Sequence, residues 1–123
     1  MTDPGETVVV DLGLPKTKHQ LLDLMGEVFQ FGGPDGNFKC DPMKPGKGWG
    51  KNWDALADSL CYLDSGGIWS TGRRFKFPLR IEFINSAVYR AADRSGFTRL
   101  SSIMRCTGPC YQDNGLHFEY AFA

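Results

Sequence analysis

Three short runs of β-branched and aromatic residues, set far apart with helical patterning between them, constrain the fold of this chain more than any other feature. Thr7 to Leu12, TVVVDL, sits between Pro4-Gly5 and Gly13 and reads as a buried strand. Pro78 to Ile84 alternates apolar and charged positions, as a strand with one protected face does. The last run, LHFEYAF, sets Leu116, Phe118, Tyr120 and Phe122 on one face and His117, Glu119 and Ala121 on the other. Strands joined by helical crossovers argue for an α/β fold, a small, three-stranded, mainly parallel sheet with helices packed against it. A chain of 123 residues has room for one domain, taken as 1–123, and one core.

The intervening segments supply the helices. Thr17 followed by Gln20 forms a candidate capping box, and Leu21, Leu22, Met25, Val28 and Phe29 give an apolar face that runs up to Gly32-Gly33. Gly26 lies inside and costs about 1 kcal/mol relative to alanine, so this helix depends on packing. Asn85 to Asp93 reads as a short helix using Val88, Tyr89 and Ala92, interrupted at Ser95-Gly96. A further helix is expected from Phe97 to Met104 or Cys106 with Leu100 and Ile103 inward, and Gly108-Pro109 should stop it before Cys110.

The central helix begins in GKNWDALADSLCYL, residues 50–63. Started at Asn52, it places Trp53, Leu56, Leu60 and Leu63 on one face, so Trp53 is expected in the core, while Lys51, Asp54 and Asp58 point elsewhere. Asn52 is a suitable N-cap, and Asp54 just inside that end is favoured by the helix dipole. Two carboxylates four residues apart repel by a few tenths of a kcal/mol. A helix that keeps such a pair outward has carboxylates to offer something positive.

Before this helix, residues 32–50 hold six glycines and three prolines, a composition that favours turns. So long a loop either serves a function or wraps an edge, and Phe38, Met43 and Trp49 suit both. After the helix, Ser65-Gly66-Gly67 breaks the pattern, and Ile68-Trp69 is expected to dock back onto the core. Arg73, Arg74 and Lys76 read as a solvated approach to the second strand.

Fourteen basic and fourteen acidic residues cancel, which removes the electrostatic signature of a nucleic-acid binder or a polybasic membrane anchor. No run approaches the length of a membrane span, and the start, MTDPGETVVVDLG, has no secretory pattern, so a cytoplasmic location is expected. On that basis Cys40, Cys61, Cys106 and Cys110 are expected to be free thiols.

Motifs for catalysis are sparse. Gly46-Lys47-Gly48-Trp49-Gly50-Lys51 lacks the order of a phosphate loop, and Cys106 and Cys110 lack the spacing of a redox motif or a zinc site. No cofactor or metal is expected. His117 with Glu119, and Arg80 to hold phosphate, is the arrangement open to a metal-independent nuclease, against polar residues on a partly exposed strand. A protein-interaction module is the other alternative.

WGKNWDALADSL, together with FPLRIEF and the closing strand, resembles the barstar family of intracellular ribonuclease inhibitors. The run from Gly50 through Asn52, Asp54, Ala55, Leu56, Asp58 and Leu60 is its most specific part. The resemblance implies a three-stranded parallel sheet, and a protein partner whose basic cleft is covered by the central helix and the loop before it. It implies that Asp58 enters the nuclease phosphate site as a phosphate mimic, with Asp54 beside it, while Trp49 and Lys51 line the rim with Phe38 or Met43. The chain departs from the family at Ala57, where an aromatic residue stands between the aspartates, and at Gly48, in the place of a contacting tyrosine. Gln112 and Asp113 are candidates for the family's later-helix glutamate, and Lys39, Lys44, Lys47 and Lys51 blunt a purely acidic surface. An immunity protein against a nuclease toxin fits the pattern as well as an inhibitor of an extracellular ribonuclease does.

Overall fold

A computed structural model describes residues 5–29, 52–64 and 74–123. In chain order they form β1 (Glu6–Asp11), α1 (Lys18–Phe29), α2 (Trp53–Leu60), β2 (Leu79–Ile84), α3 (Ser86–Ala92), α4 (Arg94–Gln112) and β3 (Phe118–Phe122). Two compact units are present, one of residues 1–18 and 76–123, the other of 19–75. The long loop at 32–50 and the Ile68-Trp69 docking segment lie outside the described residues.

The first unit holds the sheet, in the order β1-β2-β3 with both pairings parallel. Register sets Val8 beside Ile81 and Val10 beside Phe83, with Tyr120 and Phe122 on their other side. This face is the core: Val10, Leu79, Ile81 and Phe83 are fully buried, and Phe83 stacks on Phe122 at 4.7 Å between ring centroids. The opposite face carries Thr7, Val9, Arg80, Glu82 and Glu119, and Val9 is 51 % exposed. β1 is therefore a half-buried strand, not the wholly buried one expected from its unbroken valines. Arg80 is closed from two sides, its Nε donating to Glu82 at 2.9 Å and its Nη1 pairing with Glu119 at 3.0 Å. These bonds, Glu82's first, hold its pKa above the ordinary arginine value.

The end of β1 is tied to the start of α3. Asn85 caps α3 in the left-handed region at φ 57°, a conformation asparagine tolerates better than most residues. Its Nδ2 donates to Asp11 Oδ1 at 2.8 Å, and the same oxygen accepts from the Gly13 amide at 2.9 Å. The Asn85 bond first, and the Gly13 bond second, hold the Asp11 carboxyl below the usual carboxylate range.

α4 is longer at both ends than its sequence predicts. Asp93 caps it, Oδ1 accepting from the Gly96 amide at 3.0 Å and Oδ2 from the Tyr89 hydroxyl at 2.8 Å. Gly96 is thus a first-turn residue rather than a break, and a Cβ there would run into the Asp93 carboxylate and the Tyr89 hydroxyl. Burial, then the bond to Asp93, raises the Tyr89 pKa and keeps the phenol a donor. At the far end the helix runs through Pro109 to Gln112. Proline already has a near-helical φ, so its cost there is a missing amide donor and the crowding of its ring against the carbonyl four residues earlier. Tyr111, one turn past the break expected at Gly108, is 1 % exposed and packs on Phe77 and Phe118 at 4.7 and 5.1 Å, which draws the last turn into the core.

The second unit has its own buried set, Leu21, Leu22, Met25 and Phe29 from α1 and Leu56, Leu60 and Leu63 from α2 and its exit, with Phe75. Phe29 meets Phe75 edge-on at 5.6 Å, and the Phe75 amide donates to the Leu63 carbonyl at 2.8 Å. The cysteines also need correction: Cys61 and Cys110 each take part in a disulfide, whereas Cys106 is an exposed free thiol. The expectation of free thiols rested on compartment, whereas pairing depends on which sulfurs the folded chain brings within bonding reach.

Candidate functional site

α2 is eight residues long, too short to be stable alone, so its cap and its buried stripe must hold it. Asn52 is extended at φ −140°, and its Oδ1 accepts from the Ala55 amide at 2.8 Å. The carbonyl of Asn52 accepts from the Leu56 amide at 3.0 Å, and Asp54 sits in the first turn as the dipole favours. Asn52→Ala is expected to cost about 1 kcal/mol of stability. A urea midpoint equal to that of the unaltered chain would mean that the cap contributes nothing.

Burial along α2 follows a helical period. Leu56, Ser59, Leu60 and Leu63 are buried, at offsets of three, four and seven from Leu56. Asp54, Asp58 and Tyr62 are exposed, at a spacing of four, with Ala57 half-buried beside the first two. Trp53 is half-buried, not enclosed like Leu56 and Leu60 as its phase predicts; it is the first helical residue, at the end of the buried stripe. Among the described residues, neither Asp54 nor Asp58 makes an ion pair or accepts a side-chain hydrogen bond. Two carboxylates on a fixed backbone are therefore presented to solvent one turn apart.

Gly48, Trp49 and Lys51, expected at the rim, lie outside the described residues, as do Phe38 and Met43. Gln112 is the last residue of α4 and Asp113 its C-cap, both exposed. Sequence reasoning missed Tyr62. Its side chain is 48 % exposed, and its spacing of four from Asp58 and eight from Asp54 was the signal available.

At the end of the sheet His117 and Glu119 stand side by side without a hydrogen bond. His117 is 72 % exposed, and its Nε2 stands 3.9 Å from Glu119 Oε2, beyond hydrogen-bond length. Arg80 is held by Glu82 through Nε and by Glu119 through Nη1. Among the described residues there is no cluster of three side chains able to hold a metal ion, and no helix long and apolar enough to cross a membrane.

A search of curated proteins finds no match to this chain. A protein-family model does match, over residues 41–123, a span that runs from before α2 through β2, α3 and α4 to the end of β3, and its description is Barstar (barnase inhibitor). With two-thirds of its length matched, and with a three-stranded parallel sheet and a capped helix that turns two aspartates outward, this chain belongs to the barstar family.

Proposed function

We propose that this protein is a stoichiometric inhibitor of a ribonuclease or related nuclease toxin, an immunity protein that occupies the basic cleft of its target. The observation behind this reading is the pair Asp54 and Asp58, exposed on a helix whose other stripe is buried, in a chain of the barstar family. A nuclease cleft must bind phosphates, so it offers arginines, lysines or protonated histidine. A carboxylate held in fixed geometry accepts charge-assisted, paired bonds from such groups and excludes the substrate.

Asp58 takes the phosphate position in this mechanism and Asp54 the neighbouring one. Ala57 leaves both carboxylates accessible, and Tyr62 extends the contact surface beyond Asp58 by one turn. Gly48, Trp49 and Lys51 complete the rim from the loop. The chain itself performs no chemistry and needs no cofactor, acts as one domain in the cytoplasm, and contacts neither nucleic acid nor membrane directly.

The test is capture of partners from the native cell with the unaltered chain and with an Asp54→Ala/Asp58→Ala variant of equal stability. A nuclease recovered only by the unaltered chain, and silenced by it at one-to-one stoichiometry, is the expected result. Equal recovery by both proteins would place binding on another face and end this proposal.

A further inference from the structure

We propose that the recess formed by α3 and the start of α4 binds a small phosphate-bearing ligand. Among the described residues its lining is Ala87, Arg90, Ala91 and Arg94, all exposed, and it is an open depression with a volume of about 510 Å³. Among the described residues, neither the Arg90 nor the Arg94 guanidinium makes an ion pair. Arg80 shows the alternative in the same unit, closed by two carboxylates at 2.9 and 3.0 Å.

The nearest acid in sequence, Asp93, makes no ion pair with either arginine. Both oxygens of Asp93 are already engaged, by the Tyr89 hydroxyl at 2.8 Å and the Gly96 amide at 3.0 Å. Arg90 is braced from one side, its guanidinium carbon 5.9 Å from the centroid of the Phe97 ring. Ala87 and Ala91 keep the floor free of bulk, so an anion can settle between two planar forks suited to tetrahedral oxyanions. Two guanidinium groups that make no ion pair among the described residues line one concavity of a chain whose net charge is zero. They match a phosphate monoester, with nearly two negative charges at neutral pH, better than a carboxylate with one.

The free ion and the 5′-phosphate of a nucleotide share this chemistry, and a titration separates them. The full chain is titrated at low ionic strength with inorganic phosphate and, separately, with adenosine 5′-monophosphate, following the side-chain Nε and backbone amide signals of residues 87–94 by heteronuclear NMR. Saturable shifts at Arg90 and Arg94 in the millimolar range are expected. Arg90→Lys/Arg94→Lys keeps both charges but loses the forks, and should bind about tenfold more weakly. Ala87→Glu should abolish binding by placing a carboxylate in the recess. Tighter binding of the nucleotide assigns the recess to a phosphorylated organic ligand, and equal binding assigns it to the phosphate group alone. Absence of saturable shifts at the two arginines, the same shifts with chloride at equal ionic strength, or unchanged affinity in the double lysine variant would overturn the proposal.

Discussion

Asp58→Ala is expected to weaken inhibition of the target nuclease by about 4 kcal/mol or more, close to a thousandfold, and to leave folding stability within about 0.5 kcal/mol. The two halves of this expectation have separate causes. In the free protein Asp58 is exposed and, among the described residues, makes no ion pair, so truncation removes no contact that folding depends on. It also relieves the repulsion with Asp54 one turn away and introduces a better helix former, both small effects in the stabilising direction. In the complex the same truncation leaves buried cationic groups of the nuclease without their anion, and an unpaired buried charge costs several kcal/mol. Titration of nuclease activity against inhibitor, with urea unfolding of the same two proteins, reads both halves. An undiminished inhibition constant would remove the phosphate-mimic role from Asp58, and a large loss of stability would mean that the residue serves the fold.

Phe83→Ala should destabilise the protein by about 3–5 kcal/mol. Phe83 is fully buried on β2, the strand that pairs with both neighbours, and it lies between Val10 and Phe122 in register. Its ring stacks on Phe122, which in turn meets Phe97 edge-on at 5.2 Å, so the cavity would open where α4 joins the sheet face. Against a total stability of about 5–15 kcal/mol for a domain of ordinary size, this is a large share. Chemical denaturation is the direct measurement. A change under about 1 kcal/mol would put Phe83 outside the core and the strand register out by one residue, since a slip of one turns every side chain to the other face.

The candidate helix was legible because its signals are local. Asn52, Asp54 and the leucine spacing lie within a few residues of one another, and the observed cap, exposed aspartates and buried stripe follow from them. Tyr62 was available by the same spacing, yet an aromatic residue next to Leu63 reads as core until its exposure is known. Trp53 went the other way. Its phase is that of the core face, but it is the first residue of α2, at the end of the buried stripe.

By itself the sequence determined the order of elements, the parallel three-stranded sheet, the inward faces of α1 and α4 and the place of the two aspartates, because alternation, helical period and capping chemistry act over a few bonds. On α3, Val88 and Ala92 are exposed and only Tyr89 of the expected face is buried. Only tertiary structure decided that β1 leaves Val9 in the open, that α4 passes Pro109 to bury Tyr111, that Asp93 and Gly96 start that helix instead of breaking it, and that Cys61 and Cys110 each take part in a disulfide. All but the helix start turn on neighbours distant along the chain, whereas Asp93 is joined to Tyr89 and Gly96, four and three residues away. An aromatic contact can outweigh one missing amide donor, and an uncovered strand face or a sulfur within bonding reach leaves no mark in local periodicity.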